Sequence, residues 1–215
     1  MSAFAYEWQT ETFALGALPI TLRAARRFDR VAETQESLPF GSTLWPAAVA
    51  LSEALVREPA LVAGKQVLEL GCGLGLVSVV AAKLGAQVTA SDGHPDMNDA
   101  LAQNAKLNQV HVDYVAYDWA RGHAPAPFPV VLASDVLYET HACTLLADAL
   151  AKVLAPGGVA YVSDPGRPHW PRFLRKLEAR DLRYRDARVK IAARVPMLAW
   201  HPTQARAHHL LRIER

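Results

Sequence analysis

The stretch VLELGCGLGLVSVVAA, residues 67–82, decides the fold of this chain. The short apolar run that ends at Leu70 has the length of a buried strand, and the run after the glycines predicts a helix over residues 75–84. A glycine directly after a strand allows a tight turn, and one further along lets the backbone approach a ligand closely. The stretch therefore predicts a strand, a ligand-binding turn and a helix.

The spacing of the glycines excludes the dinucleotide fingerprint G-x-G-x-x-G. Gly71, Gly73 and Gly75 form G-x-G-x-G, and Leu76 occupies the place of the third glycine. Glu69 lies two residues ahead of the turn, where a carboxylate is a poor neighbour for a pyrophosphate. The turn suits a ligand that carries an ammonium or a sulfonium group.

Strands and helices alternate around this turn. Strands are predicted at 65–70, 86–91, 110–117, 130–134 and 159–163, with helices at 75–84, 95–108 and 139–154. This alternation indicates βαβ units and a parallel sheet with helices on both faces. After a helix near 169–180, strands at 182–189 and 205–213 indicate an antiparallel hairpin at the C-terminal edge. The predicted class is α/β, a Rossmann-like, seven-stranded, mostly parallel sheet.

The first 45 residues differ in character from the rest. Residues 13–22 predict a hairpin or an extended arm. Residues 39–46 lead into a helix over 46–57, because proline is favoured at the first helical position. We expect residues 1–45 to form an N-terminal extension or lid packed on one domain, residues 46–215.

Composition indicates the cellular setting. Hydrophobic residues make up 51% and charged residues 20% of the chain, which is typical of soluble globular proteins. No apolar run approaches the roughly 18 residues of a membrane span, and Glu7 and Glu11 lie where a secretory signal is basic. Cys72 and Cys143 form no disulfide framework, so a cytoplasmic location is expected.

Charge is distributed unevenly along the chain. Residues 1–166 contain 10 basic and 17 acidic residues, residues 167–190 contain 9 and 3, and residues 191–215 contain 4 and 1. The basic C-terminal part, residues 167–215, has two interpretations. It either forms a surface for an acidic partner or a phosphate backbone, or it is only a solvated helix face and an exposed strand. Interleaved apolar residues favour the second interpretation. A recognition surface is expected within residues 167–188.

Three aspartates follow later strands. Asp92 ends the second strand, 21 residues after Gly71, Asp118 and Trp119 end the third, and Asp135 ends the fourth. Open α/β sheets bind ligands at the carboxyl ends of their strands. There Asp92 can accept hydrogen bonds from ribose hydroxyls, Asp118 can meet the adenine amine, and Trp119 can pack on a base. Each aspartate alone suits a helix cap or turn, but three in register with the glycines predict a nucleoside site.

VLELGCGLGLVSVVAAKLGAQVTASD, followed by DW, LASDVLYE and LAPGG, resembles the class I, seven-strand S-adenosylmethionine-dependent methyltransferases. The resemblance covers residues 65 to about 165. It implies S-adenosyl-L-methionine as cofactor, S-adenosyl-L-homocysteine as product, and residues 46–215 as the methyltransferase domain. The implied cofactor contacts are Glu69, Gly71, Gly73, Gly75, Asp92 and Asp118.

A narrower resemblance concerns the acceptor. PFGSTLWPAAVALSEAL and Asp135-Val-Leu-Tyr138 are similar to the methyltransferase-like protein lysine methyltransferases, which modify chaperones, translation factors and the electron transfer flavoprotein. Their hallmark is an acidic residue, two variable residues and then Tyr or Phe. SDPGR, residues 163–167, resembles bacterial relatives of the flavoprotein-directed enzyme. That group includes a member described as acting on arginine, so the modified residue stays open.

This resemblance implies roles for three side chains. A lysine nucleophile must be neutral although its ordinary pKa is about 10.4, and an apolar channel lowers that pKa. We expect Asp135 to orient the amine and Tyr138 to wall the methyl site, as the catalytic residues. Trp45 either closes the cofactor pocket from the N-terminal side or anchors the core before a helix.

Other chemistries agree less well with the sequence. The eight histidines are scattered, no metal-ligand spacing appears, and no GxSxG nucleophile elbow is present, so no metal is expected. SDVLY replaces the Asn/Asp-Pro-Pro-Tyr of adenine and glutamine-amide methyltransferases. A protein lysine methyltransferase is expected first. A small-molecule or RNA methyltransferase, a non-catalytic S-adenosylmethionine-binding module and a nicotinamide oxidoreductase stay open, and neither DNA nor a membrane is an expected partner.

Overall fold

A computed structural model describes residues 7–26, 40–198 and 206–215. The described strands are β1 Glu7–Leu15, β2 Leu18–Arg26, β3 Gln66–Leu70, β4 Gln87–Asp92, β5 Asp113–Ala116, β6 Phe128–Ser134, β7 Leu154–Asp164, β8 Arg183–Lys190 and β9 Ala207–Glu214. The described α-helices are α1 Pro46–Arg57, α2 Leu76–Lys83, α3 Met97–Leu107, α4 Ala142–Val153 and α5 Trp170–Glu178. The predicted alternation of strands and helices is present.

The main sheet has the strand order β5-β4-β3-β6-β7-β9-β8. Its first five strands pair in parallel, and β9 pairs antiparallel with both β7 and β8. The expected α/β class, the seven strands and the antiparallel edge hairpin are therefore confirmed. The strand order reverses between β3 and β6, and ligands of open α/β sheets bind in the crevice at such a point.

The third strand of the main sheet is shorter than predicted. Residues 110–117 alternate in sequence, but β5 covers only four residues. The Val110 N–H donates to the Ala105 carbonyl of α3 at 3.1 Å, and Gln109 adopts a φ of 56°. The chain is therefore still leaving the helix where the pattern predicts a strand.

Helices cover both faces of the main sheet. α1 and α2 bury Val49, Leu55 and Val79 in one apolar cluster, while α4 and α5 bury Leu146 and Phe173 in another. Full burial of one such side chain contributes about 1.5–3 kcal/mol, so these clusters hold the layers together. None of the helices in the described ranges combines the length and the apolar character of a membrane span.

β1 and β2 form a separate hairpin that docks on α3 through two asparagines. Asn108 bonds both the N–H (3.0 Å) and the carbonyl (2.6 Å) of Thr21, and Asn104 bonds those of Arg23 at 2.7 and 3.1 Å. Asn104 also donates to the Leu74 carbonyl in the glycine turn at 2.9 Å. One buried side chain therefore connects the hairpin to the turn.

The hairpin predicted at residues 13–22 is confirmed and extends over longer strands. Residues 1–6 and 27–39 lie outside the described residues, as do residues 199–205, which include the predicted start of the last strand. The lid expected from residues 1–45 therefore stays a prediction.

Candidate functional site

A cavity of about 470 Å³ opens at the carboxyl ends of β3, β4 and β6. Its size is within the usual range for small-ligand sites. The structure brings nine of the ten predicted site residues to its wall: Trp45, Glu69, Gly71, Gly73, Asp92, Asp118, Trp119, Asp135 and Tyr138. Gly75 does not line the cavity; it precedes α2 with a φ of 77°.

The glycine turn is crowded by backbone from the segment before α1. A Cβ on Gly73 would lie 3.0 Å from the Gly41 carbonyl oxygen, and the φ of Gly73 is +48°. The same residue donates its N–H to Asp92 Oδ2 at 3.0 Å. Only glycine adopts this positive φ and leaves room for the Gly41 carbonyl without strain, so the turn carries no side chain at Gly73, where it borders the cavity.

Glu69 is a buried carboxyl group beside the turn, with 1% of its surface exposed. Its Oε2 accepts hydrogen bonds from the Ser78 N–H, at 2.9 Å, and from the Ser78 hydroxyl. Burial raises the pKa of Glu69 to about 8, although the Ser78 bonds lower it. Glu69 is therefore mostly protonated at neutral pH, and a cation in the cavity would favour its ionised form.

Asp92 and Asp118 hold their own loops as well as lining the cavity. Asp92 accepts the His94 N–H at 2.9 Å in addition to the Gly73 N–H, and Asp118 accepts the Ala120 N–H at 2.8 Å. The turn role considered from sequence is therefore present. A carboxylate oxygen has two lone pairs, so both groups keep acceptor capacity toward a ligand.

Trp119 packs behind the turn. Its ring lies 3.5 Å from the position of a Cβ on Gly71, and it borders the apolar cluster beneath α4 and α5. Since the ring also lines the cavity, its position agrees with a contact to a base.

Asp135 follows β6 and lines the cavity, with its side chain only 4% exposed. Its φ is +60°, and its Oδ2 accepts the Ala47 N–H at 3.1 Å in the first turn of α1. Its Oδ1 forms an ion pair with Arg167, which also donates to Asp164 at 2.9 Å. Burial raises the pKa of Asp135, and Arg167 opposes that effect.

Arg167 belongs to the basic segment, residues 167–190, that the sequence predicts at the surface, but its side chain is only 19% exposed and lines the cavity. The local signal was the sequence Asp164-Pro-Gly-Arg167, a turn that directs a basic side chain back to a strand end. Arg180 is likewise paired, with Asp148 at 2.7 Å. Other arginines of this basic segment are exposed, including Arg172 and Arg183. The basic segment is therefore partly internal.

Aromatic rings form the mouth of the cavity beside Asp135. Tyr138 and Phe40 are 50% and 55% exposed, and their ring centroids lie 5.2 Å apart. Trp45 donates its Nε1–H to the Phe40 carbonyl at 2.7 Å. Phe40 was not among the predicted site residues, although it lies in the segment PFGSTLWP that resembles the lysine methyltransferases.

Metal ligands are not grouped in the described part of the chain: no cluster of three or more His, Cys, Asp or Glu side chains could hold an ion there. The cavity instead combines four carboxyl groups, a glycine turn and aromatic rings. This arrangement suits a cationic nucleoside at the turn and a second group at the aromatic mouth.

Comparisons with known proteins agree with this geometry. The family described as lysine methyltransferase matches residues 29–179. An electron transfer flavoprotein beta subunit lysine methyltransferase of Xenopus laevis is 33% identical over 132 residues, covering 60% of this chain and 53% of the relative. A histone-arginine methyltransferase of Rattus norvegicus is 36% identical over 109 residues, 46% of this chain and 48% of the relative. The chain spans about half the length of these relatives.

Solved structures share the fold at low sequence identity. A Thermus thermophilus 16S rRNA N2 G1207 methyltransferase in complex with AdoMet and guanosine has a TM-score of 0.66 at 18% identity, over 97% of this chain and 50% of that one. The N-methyltransferase NodS of Bradyrhizobium japonicum WM9, in complex with S-adenosyl-L-homocysteine, has a TM-score of 0.57 at 19% identity, over 78% and 83%. These two likenesses support the fold.

Proposed function

The chain belongs to the lysine methyltransferase family, whose match covers more than half of its length, and from this premise we propose that it transfers a methyl group from S-adenosyl-L-methionine to a side-chain nitrogen of a protein, first a lysine. The observation that carries the proposal is that one cavity is lined both by the glycine turn with its carboxyl groups and by Asp135 and Tyr138. A cofactor half and an acceptor half thus adjoin.

The cofactor half agrees with the chemistry of this cofactor. Glu69, Asp92 and Asp118 line it, and the described residues add no lysine or arginine at the turn. That donor set favours a ligand with positive charge and hydroxyl groups over one with phosphates. Glu69 would lie nearest the cationic part, Asp92 would hold the ribose, and Asp118 with Trp119 would hold the adenine. Trp45 would close the N-terminal side.

The acceptor half positions a nitrogen between a carboxylate and two aromatic rings. The bound cofactor supplies a methyl group activated by a sulfonium. Asp135 orients the acceptor nitrogen, and the rings of Phe40 and Tyr138 surround its approach. Burial beside the two rings would favour the neutral amine, whereas the Asp135 carboxylate would favour the ammonium. A lysine would therefore bind as a cation and release its proton to solvent, which reaches the half-exposed rings, before it accepts the methyl group. The neutral nitrogen would accept the methyl group as S-adenosyl-L-homocysteine leaves, and the methylated ammonium would then release a proton to solvent.

The experiment is transfer of a labelled methyl group to proteins of a cell lysate, with and without nuclease. Label in a protein band that survives nuclease and maps to lysine supports the proposal. Asp92→Asn should reduce transfer, whereas Asp99→Asn, on the exposed face of α3, is the matched control. Label lost with nuclease indicates RNA, and label among small molecules indicates a metabolite. Cofactor binding without transfer indicates a non-catalytic module.

A protein arginine is the second candidate acceptor. The 36% identity to a histone-arginine methyltransferase favours it over the remaining alternatives. Mass spectrometry of the labelled peptide distinguishes the two, because methylated lysine and methylated arginine differ in side-chain mass.

A further inference from the structure

Arg167 bridges two buried carboxylates at the acceptor end of the cavity. The side chains of Asp135 and Asp164 are 4% and 1% exposed, and the guanidinium contacts both. Asp164 Oδ1 accepts the backbone N–H groups of Gly166 and Arg167, at 2.7 and 2.8 Å. The turn that carries Arg167 is thus fixed by the same carboxylate that its guanidinium binds.

The three charged side chains leave this end of the cavity with one unbalanced negative charge. Asp135 and Asp164 contribute two negative charges, and Arg167 contributes one positive charge. The Ala47 N–H at the first turn of α1 adds only a partial positive charge. An acceptor that arrives as a cation would complete the balance, whereas a phosphate would increase the repulsion.

We propose that Arg167, itself fixed in place by Asp164, is a positioning residue that holds Asp135 ionised and in position, so that the acceptor pocket admits a cationic side chain. The proposal deepens the proposed function and rests on it. Arg167 acts on the acceptor through Asp135, and its guanidinium pairs with Asp135 and Asp164 and not with the three carboxyl groups of the cofactor half.

The groups around Asp135 determine what loss of Arg167 would do. Burial and Asp164 raise the pKa of Asp135, and Arg167 and the Ala47 N–H lower it. On β9, burial lowers the pKa of His208, and beside Asp135 burial raises the pKa of Tyr138, so both are neutral near pH 7. Among the described side chains that act on Asp135, Arg167 alone supplies a full positive charge against burial. An adjacent opposite charge shifts a carboxyl pKa by roughly 1–3 pH units, so without Arg167 Asp135 would become protonated at correspondingly higher pH.

The test compares Arg167→Gln with the wild type from pH 6 to 9.5, using kcat/KM for the labelled protein acceptor. The ratio of variant to wild type cancels the ionisation of the acceptor. We expect this ratio to be low at pH 6 and to rise about tenfold or more by pH 9. Arg172→Gln, on the exposed face of α5, is the matched control and should give a flat ratio. Affinity for S-adenosyl-L-homocysteine should stay within about twofold of the wild type, since Arg167 acts only at the acceptor end.

Further variants keep the proposal testable if Arg167→Gln fails to fold, since two buried carboxylates would lose their counter-ion. Arg167→Gln with Asp164→Asn removes one charge of each sign and should still give a rising ratio. Arg167→Lys keeps the charge and should give a flat ratio with a lower rate. A flat ratio for folded Arg167→Gln overturns the inference. A wild type that methylates no protein overturns the proposed function instead.

Discussion

Glu69→Gln is the sharpest test of the buried carboxyl beside the glycine turn. Glutamine keeps the shape of the side chain, and its oxygen can accept both hydrogen bonds from Ser78. What it removes is the ionisable group, whose pKa burial raises from 4.5 to about 8.

The direction of the effect follows from proton binding. Below pH 4.5 Glu69 is protonated in both the folded and the unfolded state. Between pH 4.5 and 8 the folded state holds a proton that the unfolded state has lost. The free energy of unfolding therefore falls as the pH rises, by about 1.4 kcal/mol per pH unit. At pH 7 the free energy of unfolding is therefore roughly 3 kcal/mol lower than below pH 4.5, and the fall levels off above pH 8.

The assay is urea unfolding of the ligand-free protein and of Glu69→Gln at several pH values from 5 to 9. The difference in unfolding free energy, variant minus wild type, should increase up to about pH 8 and then stay constant. Glu58→Gln removes the same charge from an exposed position at the end of α1 and serves as the control. A difference that does not change between pH 5 and 8 would refute the reasoning.

Three further substitutions probe the hairpin, the turn and the aromatic mouth. Asn104→Leu leaves backbone groups of the hairpin and of the turn without hydrogen-bond partners, so it should lower the free energy of unfolding by about 2–5 kcal/mol. The control Gln103→Leu changes an exposed neighbour and should lower that free energy by about 1 kcal/mol or less. Urea unfolding measures both. Gly71→Ala places a Cβ 2.7 Å from a valine methyl and should weaken S-adenosyl-L-homocysteine binding at least about tenfold by calorimetry; Gly85→Ala, also at positive φ but in open space, should leave binding unchanged. Tyr138→Ala should lower kcat/KM for the acceptor about two- to tenfold, and Tyr138→Phe should restore it; equal losses for both would exclude the ring contact.

The parts of the site that the sequence predicts depend on local order. Glu69 and Asp92 each lie at a strand end, and parallel strands bring their carboxyl ends to one edge of the sheet. The strand–turn–helix around Gly73 follows from a window of sixteen residues, 67–82. No knowledge of distant contacts is needed for either.

The parts that the sequence does not predict depend on contacts between distant segments. Asp135 and Arg167 meet because β6 and β7 are neighbours, so a basic residue assigned to the surface lies inside the site. Asn104 and Arg23 are 81 positions apart, and nothing in the pattern of α3 marks the asparagine as a partner for the hairpin backbone. Polar pairing of this kind becomes visible only when the elements are placed together.

The left-handed backbone at Asp135 restricts how this position can vary during evolution. At a φ of +60° most residues with a Cβ cost about 1–2 kcal/mol, whereas glycine, asparagine and aspartate tolerate the conformation. Descendants of this chain therefore have few substitutions open to them here, even if methyl transfer were lost. An aspartate retained at this position in a diverged chain would indicate a conserved backbone and would not by itself indicate a working enzyme.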